Sequence, residues 1–306
     1  MHKLLLMPPP RDHSVYLHLL QAAHLPNLEL VDQVSAGVDL VFGDPARIST
    51  VLPELLSLKW VQATWAGVEP LLAPSLQRDY ILTNARGVFG DLMAEYVFSH
   101  LLLRERRILP RLEAQKQARW EPALPGTLKG KTIGLLGVGS IGARLAETAK
   151  FFGMQVRGYT RASETSPHVD RYYHGDDLLA FAGGLDVLVS VLPGTTATRH
   201  LVDDSLFAAL PPHCGLVSAG RGSVVDETAL LDALEQERLG WAVLDVFEKE
   251  PLPPEHPLWH AKNLLITSHT AAPSFPQDLV ALFIENYLLY INAQPLKYQV
   301  NFELGY

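Results

Sequence analysis

A single cysteine, Cys214, stands in 306 residues, so no intrachain disulfide can form. That scarcity fits a reducing compartment, and Cys214 itself reads as a small buried apolar residue. No apolar run approaches the ~20 residues that cross a bilayer. "MHKLLLMPPP" is too short and too proline-bounded for a secretory signal and is expected to form a first buried strand. Positive charge is not in surplus: 25 Lys and Arg face 33 Asp and Glu, a formal charge of -8. This argues against a general nucleic-acid or anionic-membrane surface while leaving room for a local basic pocket. Low-complexity tracts and short solenoid repeats are also missing. What remains is 48% hydrophobic and 19% charged residues, the make-up of one large or two medium globular domains. The expected location is the cytoplasm.

Strand-like apolar runs alternate with helical patterns, which predicts parallel sheets with crossover helices. "KLLLM", "LELV", "VDLVF", "WVQAT" and "YILTN" read as strands of a first lobe, with "SVYLHLLQAAHL" and "ARISTVLPELLS" as helices. A long helix is expected from Asp91, as N-cap, to Pro110, followed by a polar excursion between lobes. A second lobe begins near Thr132 with "TIGLLG", "QVRGYT", "LDVLVSVLP", "GLVSAG", "WAVLDVF" and "NLLITS". Its central strands are almost continuously apolar, as strands covered on both faces must be. The helical pattern after Pro276 could return to the first lobe and make it discontinuous. The expected division is 1–95 with 276–306 as a substrate-binding domain and 96–275 as a dinucleotide-binding domain.

"TIGLLGVGSIGARLAE" carries Gly137, Gly139 and Gly142 in the spacing G-x-G-x-x-G between a strand and an amphipathic helix. That context suits a dinucleotide pyrophosphate resting on the helix N-terminus, formed here by Ser140 and Ile141. An acid for the adenosine ribose is expected about 20 residues on, at the end of the next strand. It is missing. Thr160 stands there, eighteen positions after Gly142, followed by Arg161 and Ser163. A fixed cation with hydroxyl donors suits a 2′-phosphate, so the cofactor expected is NADP(H), with NAD as a weaker alternative.

Three further segments fall at ends of second-lobe strands, where open α/β sheets bind ligands. Arg221 in "SAGRGSVVDE" offers a planar fork for the carboxylate of a 2-oxo acid. Glu250 in "LDVFEKEPLP" and His269 in "TSHTAAPS" form a carboxylate–imidazole pair able to protonate a developing alkoxide. The other eleven histidines, His174 among them, read as structural or surface residues, and no Cys/His cluster suggests a metal.

In order, G-x-G-x-x-G, "LPGTTATRHLV", "RGSVVDE", "LDVFEKEPLP" and "SHTA" resemble the D-isomer-specific 2-hydroxyacid dehydrogenases over most of residues 80–275. Within that family the chain most resembles the glyoxylate/hydroxypyruvate reductases. The resemblance implies two Rossmann-like or flavodoxin-like parallel-sheet domains with the active site in the cleft between them. It implies that Arg221 binds the substrate carboxylate and carbonyl and that His269, paired with Glu250, is the proton donor. Asp245 is implied beside the nicotinamide carboxamide, with Leu192, Pro193, Ala219 and Gly220 along the cofactor. "WAGVE" matches a first-lobe loop whose Gly67 and Val68 amides would hold the substrate carboxylate. Glu69 departs from the aspartate common there, and Ser268 from the proline common before the histidine; both bear on substrate preference. Trp65 and Arg86 could narrow the pocket or add a cation. The segment "EYVFSHLLLRERRILPRLEAQKQARW" resembles the family's dimer-forming helix, with Trp120 as an anchor, so a homodimer is expected.

The expected function is therefore NADPH-dependent reduction of small 2-oxo acids to D-2-hydroxy acids. Two rivals are a non-catalytic NAD(P)-sensing regulator on the same fold and an NAD-linked dehydrogenase working oxidatively. The retained Arg221, Glu250 and His269 argue against the first, and "YTRAS" argues against the second.

Overall fold

The computed structural model describes residues 1–305. The chain divides into two compact units, Met1–Phe89 with the stretch from Pro273 onward, and Gly90–Ala272. These divisions lie a few residues before the 95/96 and 275/276 boundaries read from the sequence.

In the first unit, β1 (His2–Met7), β2 (Leu28–Val31), β3 (Leu40–Gly43), β4 (Trp60–Ala63) and β5 (Ile81–Thr83) pair in parallel in the order β2-β1-β3-β4-β5. This is the flavodoxin-like order. Helix α1 (His13–Ala22) follows β1, and α2 (Pro45–Val51) follows β3. Asp44 starts α2 by accepting from the amides of Ala46 at 2.9 Å and Arg47 at 3.2 Å, with Pro45 in the first position. The helix Pro276–Ile291 does return to this sheet. Its Phe283 ring stacks between Phe42 at 4.8 Å and Trp60 at 5.2 Å, and Asn286 donates to the buried Gln62 at 3.0 Å.

The second unit opens with α3 (Gly90–Glu105) and α4 (Ile108–Lys116). One helix from Asp91 to Pro110 was the sequence expectation; the chain instead breaks at Arg106–Arg107. Arg107 takes a left-handed φ of 56°, and Pro110 lies in the first turn of α4, where its missing N–H costs nothing. Asp91 is not the N-cap, since α3 begins one residue earlier; its carboxylate pairs with Arg144 at 2.5 Å.

Seven parallel strands follow: β6 (Thr132–Leu136), β7 (Gln155–Tyr159), β8 (Arg171–Tyr173), β9 (Val187–Ser190), β10 (Gly215–Ser218), β11 (Trp241–Leu244) and β12 (Leu264–Ile266). Their order, β12-β11-β10-β9-β6-β7-β8, reverses direction between β6 and β9, the switch point of a dinucleotide-binding sheet. Helix α5 (Ser140–Phe151) connects β6 to β7; α6 (Leu178–Ala182), α7 (Asp204–Ala209) and α8 (Glu227–Glu235) complete the crossovers. Alternation along each strand feeds two cores: Leu188, Leu216 and Leu244 face one, and Val189, Val217 and Val243 the other. Cys214 is fully buried in the first of these, and burial pushes its thiol up to about 12. Strand β8, "RYY", escaped the sequence reading because it is a three-residue polar edge strand.

Candidate active site

All strands of the second unit run parallel, so their C-terminal ends share one edge, and the chemistry gathers there. At the end of β6, Gly137 turns with φ 95° and its amide donates to the Tyr159 carbonyl at 3.0 Å. Only glycine enters that region readily. A Cβ on Gly142 would lie 2.1 Å from the Gly137 carbonyl oxygen, so the helix can pack against the turn only without a side chain there. Gly139, the N-cap of α5, is exposed, and a Cβ built on it meets nothing within 4 Å. The first amides of α5, from Ser140 and Ile141 onward, thus border open space with the helix dipole behind them. Leu192 approaches this turn from the end of β9, its side chain 3.1 Å from a Cβ placed on Gly137. Gly220 packs on the Leu192 backbone, and Ala219 donates to the Ser190 carbonyl at 3.1 Å. The Pro193 carbonyl accepts from Thr198 at 2.6 Å, which folds the "LPGTTAT" loop back on itself.

At the end of β7 the structure corrects the expectation for Thr160. Its side chain is 8% exposed, and its hydroxyl donates inward to the Ser163 carbonyl at 2.8 Å. Thr160 shapes the turn rather than offering a proton outward; Arg161 and Ser163 are the exposed members.

Arg221 follows β10, half-buried, with one guanidinium nitrogen donating to the Gly220 carbonyl at 2.9 Å. His269 follows β12, and its Nδ1 lies 2.7 Å from Glu250 Oε2. A carboxylate only accepts, so Nδ1 carries the hydrogen and Nε2 is left for the reacting partner. Glu250 is oriented in turn by the Phe247 amide, which donates to its other oxygen at 3.0 Å.

His269 sits at φ 54°, a left-handed conformation that costs a non-glycine residue about 1–3 kcal/mol. Asp245 holds it there. The carboxylate, 1% exposed, accepts from the amides of Thr270 and Ala271, each at 2.9 Å, and from the Thr267 hydroxyl. Tyr96 of α3 extends the chain through its hydroxyl, 2.8 Å from Thr267 Oγ1. Asp245, implied by resemblance to sit beside the nicotinamide, thus has both oxygens committed to the turn that carries His269. Sequence reasoning missed Tyr96 and Thr267, which stand 171 positions apart.

The remaining site candidates belong to the first unit. Gly67 and Val68 lie in the loop after β4, where Asn84 donates to the Ala66 carbonyl at 2.8 Å and Val68 is buried in that unit's core. Trp65 donates to Asp44 at 3.0 Å. The Arg86 guanidinium is engaged by Asn84 at 3.2 Å and the Gln299 carbonyl at 2.8 Å, and burial lowers its pKa.

Comparison with known proteins identifies the family and the fold. Residues 98–271 match the model of the D-isomer specific 2-hydroxyacid dehydrogenase NAD binding domain. The chain belongs to this family. A glyoxylate/hydroxypyruvate reductase A from Serratia proteamaculans is 34% identical over 258 residues, covering 81% of this chain and 82% of the relative. A family structure from Aeromonas salmonicida superposes with a TM-score of 0.91 at 42% identity, covering 98% of this chain and 99% of that one. Another, from Xanthobacter autotrophicus Py2 in complex with NADPH and MES, gives 0.90 at 30% identity, covering 100% and 99%. Both sheets of this dehydrogenase therefore carry the family's fold. Among the described residues, no helix is long and apolar enough to cross a membrane.

Proposed function

We propose that this dehydrogenase reduces small 2-oxo acids, glyoxylate and hydroxypyruvate first among them, to D-2-hydroxy acids with NADPH. The observation that carries the reading is the 2.7 Å contact between His269 Nδ1 and Glu250. A cofactor-sensing regulator has no use for an imidazole whose tautomer is fixed and whose second nitrogen is free to deliver a proton.

The cradle at Gly137–Gly142 fits a dinucleotide, because open space lies before Gly139 and a helix N-terminus behind it. When bound, NADPH supplies the hydride that adds to the carbonyl carbon. The Arg221 guanidinium pairs with the substrate carboxylate in a planar fork and aligns the carbonyl. His269 Nε2 gives its proton to the carbonyl oxygen as that oxygen gains charge, and Glu250 stabilises the imidazolium before transfer. Solvent then returns the proton to His269. Asp245, Thr267 and Tyr96 act through the backbone as positioning residues. Gly67 and Val68 contribute amides to the substrate carboxylate, and Leu192, Pro193, Ala219 and Gly220 border the cofactor. In this reading the Gly90–Ala272 unit is the dinucleotide-binding domain and the other the substrate domain.

A homodimer and a cytoplasmic location complete the proposal. Ile108, Leu109 and Leu112 on α4 are exposed, and Trp120 and Leu124 just beyond it are each 89% exposed. Leu109 and Leu124 also line a cavity of about 560 Å³, together with residues that include Arg104 and Trp241. Apolar surface of this kind favours association. The test is kcat/KM for glyoxylate, hydroxypyruvate, pyruvate and phenylpyruvate with NADPH and with NADH. Preference for NADPH with the two smaller, more polar acids is expected. No reduction of any of the four, or a clear preference for NADH, would overturn the reading.

A further inference from the structure

His174 directly follows β8, the strand hidden from sequence reading, and its imidazole lies beside the turn that replaces the ribose-binding acid. Nδ1 faces the Thr160 carbonyl at 2.9 Å and the Thr160 hydroxyl oxygen at 3.2 Å. That hydroxyl has already given its proton to the Ser163 carbonyl. Nε2 faces Glu164 Oε1 at 2.8 Å. Every partner of the ring is therefore an acceptor, and only the imidazolium, with a hydrogen on each nitrogen, satisfies them all.

Glu164 is the first carboxylate after β7, four residues beyond Thr160. Unpaired, it would oppose a 2′-phosphate in the same turn as Arg161. Building on the NADPH reading above, we propose that His174 is a specificity residue for the cofactor's 2′-phosphate: as imidazolium it ties Glu164 and braces the Thr160–Ser163 turn, so preference for NADP(H) over NAD(H) is greatest while the ring is charged.

The hydrogen bond to Glu164, and after it that to the Thr160 carbonyl, raises the His174 pKa; Asp177 in the following turn adds to the rise. The other ionisable groups nearby are Tyr172, whose ring is parallel to the imidazole at 6.3 Å, and Tyr159, whose hydroxyl donates to the Gly175 carbonyl at 2.7 Å. Asp176 lies in the same turn as Asp177. A raised pKa keeps the cation at pH values where an ordinary imidazole is neutral. Preference should hold below that pKa and fall as pH rises through it. The 2′-phosphate loses its second proton near pH 6, which strengthens its binding over a lower range and in the opposite sense.

Dissociation constants for NADP⁺ and NAD⁺, measured by calorimetry from pH 6.5 to 9, test this in the wild type, His174→Gln, Glu164→Gln and the double variant. The wild-type ratio should favour NADP⁺ and decline toward pH 9. His174→Gln, with a single donor nitrogen and no charge, should weaken NADP⁺ at pH 6.5 by roughly fivefold relative to NAD⁺, as for a half-exposed ion pair, and abolish the decline. Adding Glu164→Gln should restore most of that loss, which a merely distorted turn would not allow. A His174→Gln profile that follows the wild type, or a loss that Glu164→Gln fails to rescue, would overturn the proposal. Wild-type preference for NAD⁺ at every pH would instead overturn the NADPH reading itself.

Discussion

The His269 amide donates to the Asp245 carbonyl at 2.8 Å, while the Asp245 side chain takes the next two amides along the same turn. One buried aspartate thus grips the turn with backbone and side chain together. A left-handed histidine cannot be held by propensity, so the grip is what keeps Nδ1 on Glu250.

Loosening that grip should cost both stability and rate. Asp245→Asn keeps the shape but turns an amide NH₂ toward buried donors, leaving at least one unpaired, at about 1–3 kcal/mol. A fall in melting temperature and a fall in kcat larger than the change in KM are expected. Tyr96→Phe removes only the bond to Thr267 and should cost about 1 kcal/mol, with a smaller loss of rate. Wild-type kcat in Asp245→Asn would show that the turn holds itself.

Arg221→Lys keeps the charge and loses the fork. A point charge on a flexible stem cannot align the carbonyl, so KM for 2-oxo acids should rise and kcat should fall. Steady-state kinetics with glyoxylate check this, and unchanged constants would make Arg221 structural.

The turn after β7 makes a second prediction about cofactor choice. Arg161→Ala should weaken NADPH by roughly ten- to a hundredfold, the worth of a charge-assisted hydrogen bond. Adding Thr160→Asp trades the brace on Ser163 for a negative charge within the same turn, which repels a nearby phosphate, and should move preference toward NADH. Because the Thr160 hydroxyl braces Ser163, Thr160→Ser is the control that keeps the brace. Ratios of kcat/KM for the two cofactors that do not move would exclude Arg161 from recognition.

Much of this architecture was legible because it rests on local rules. Apolar runs such as "TIGLLG" and "GLVSAG" form strands wherever both faces are covered, and three glycines at fixed spacing mark the turn before α5. Arg221, Glu250 and His269 could be picked out because each follows a recognisable strand. What escaped depends on partners far apart in sequence. Strand β8 is short and polar and exists by pairing with β7, so His174 behind it looked like any loop histidine. Tyr96 looked like a helix residue until the fold set it against Thr267. Thr160 was found at its position but with its hydroxyl pointing inward, a matter of turn geometry that composition does not carry. The break at Arg107 left no mark either, since leucines and arginines continue a helical pattern through it.

Proton donation by His269 is the centre of the account, and single-turnover reduction of glyoxylate by the NADPH-saturated enzyme tests it most directly. His269→Gln should lower the rate by roughly two orders of magnitude or more, the usual loss with a general acid, while NADP⁺ affinity stays at the wild-type value. Glu250→Gln should fall between that variant and the wild type, because the neutral amide can still accept from Nδ1 but no longer stabilises the charged ring. A near-wild-type rate in His269→Gln would contradict the account.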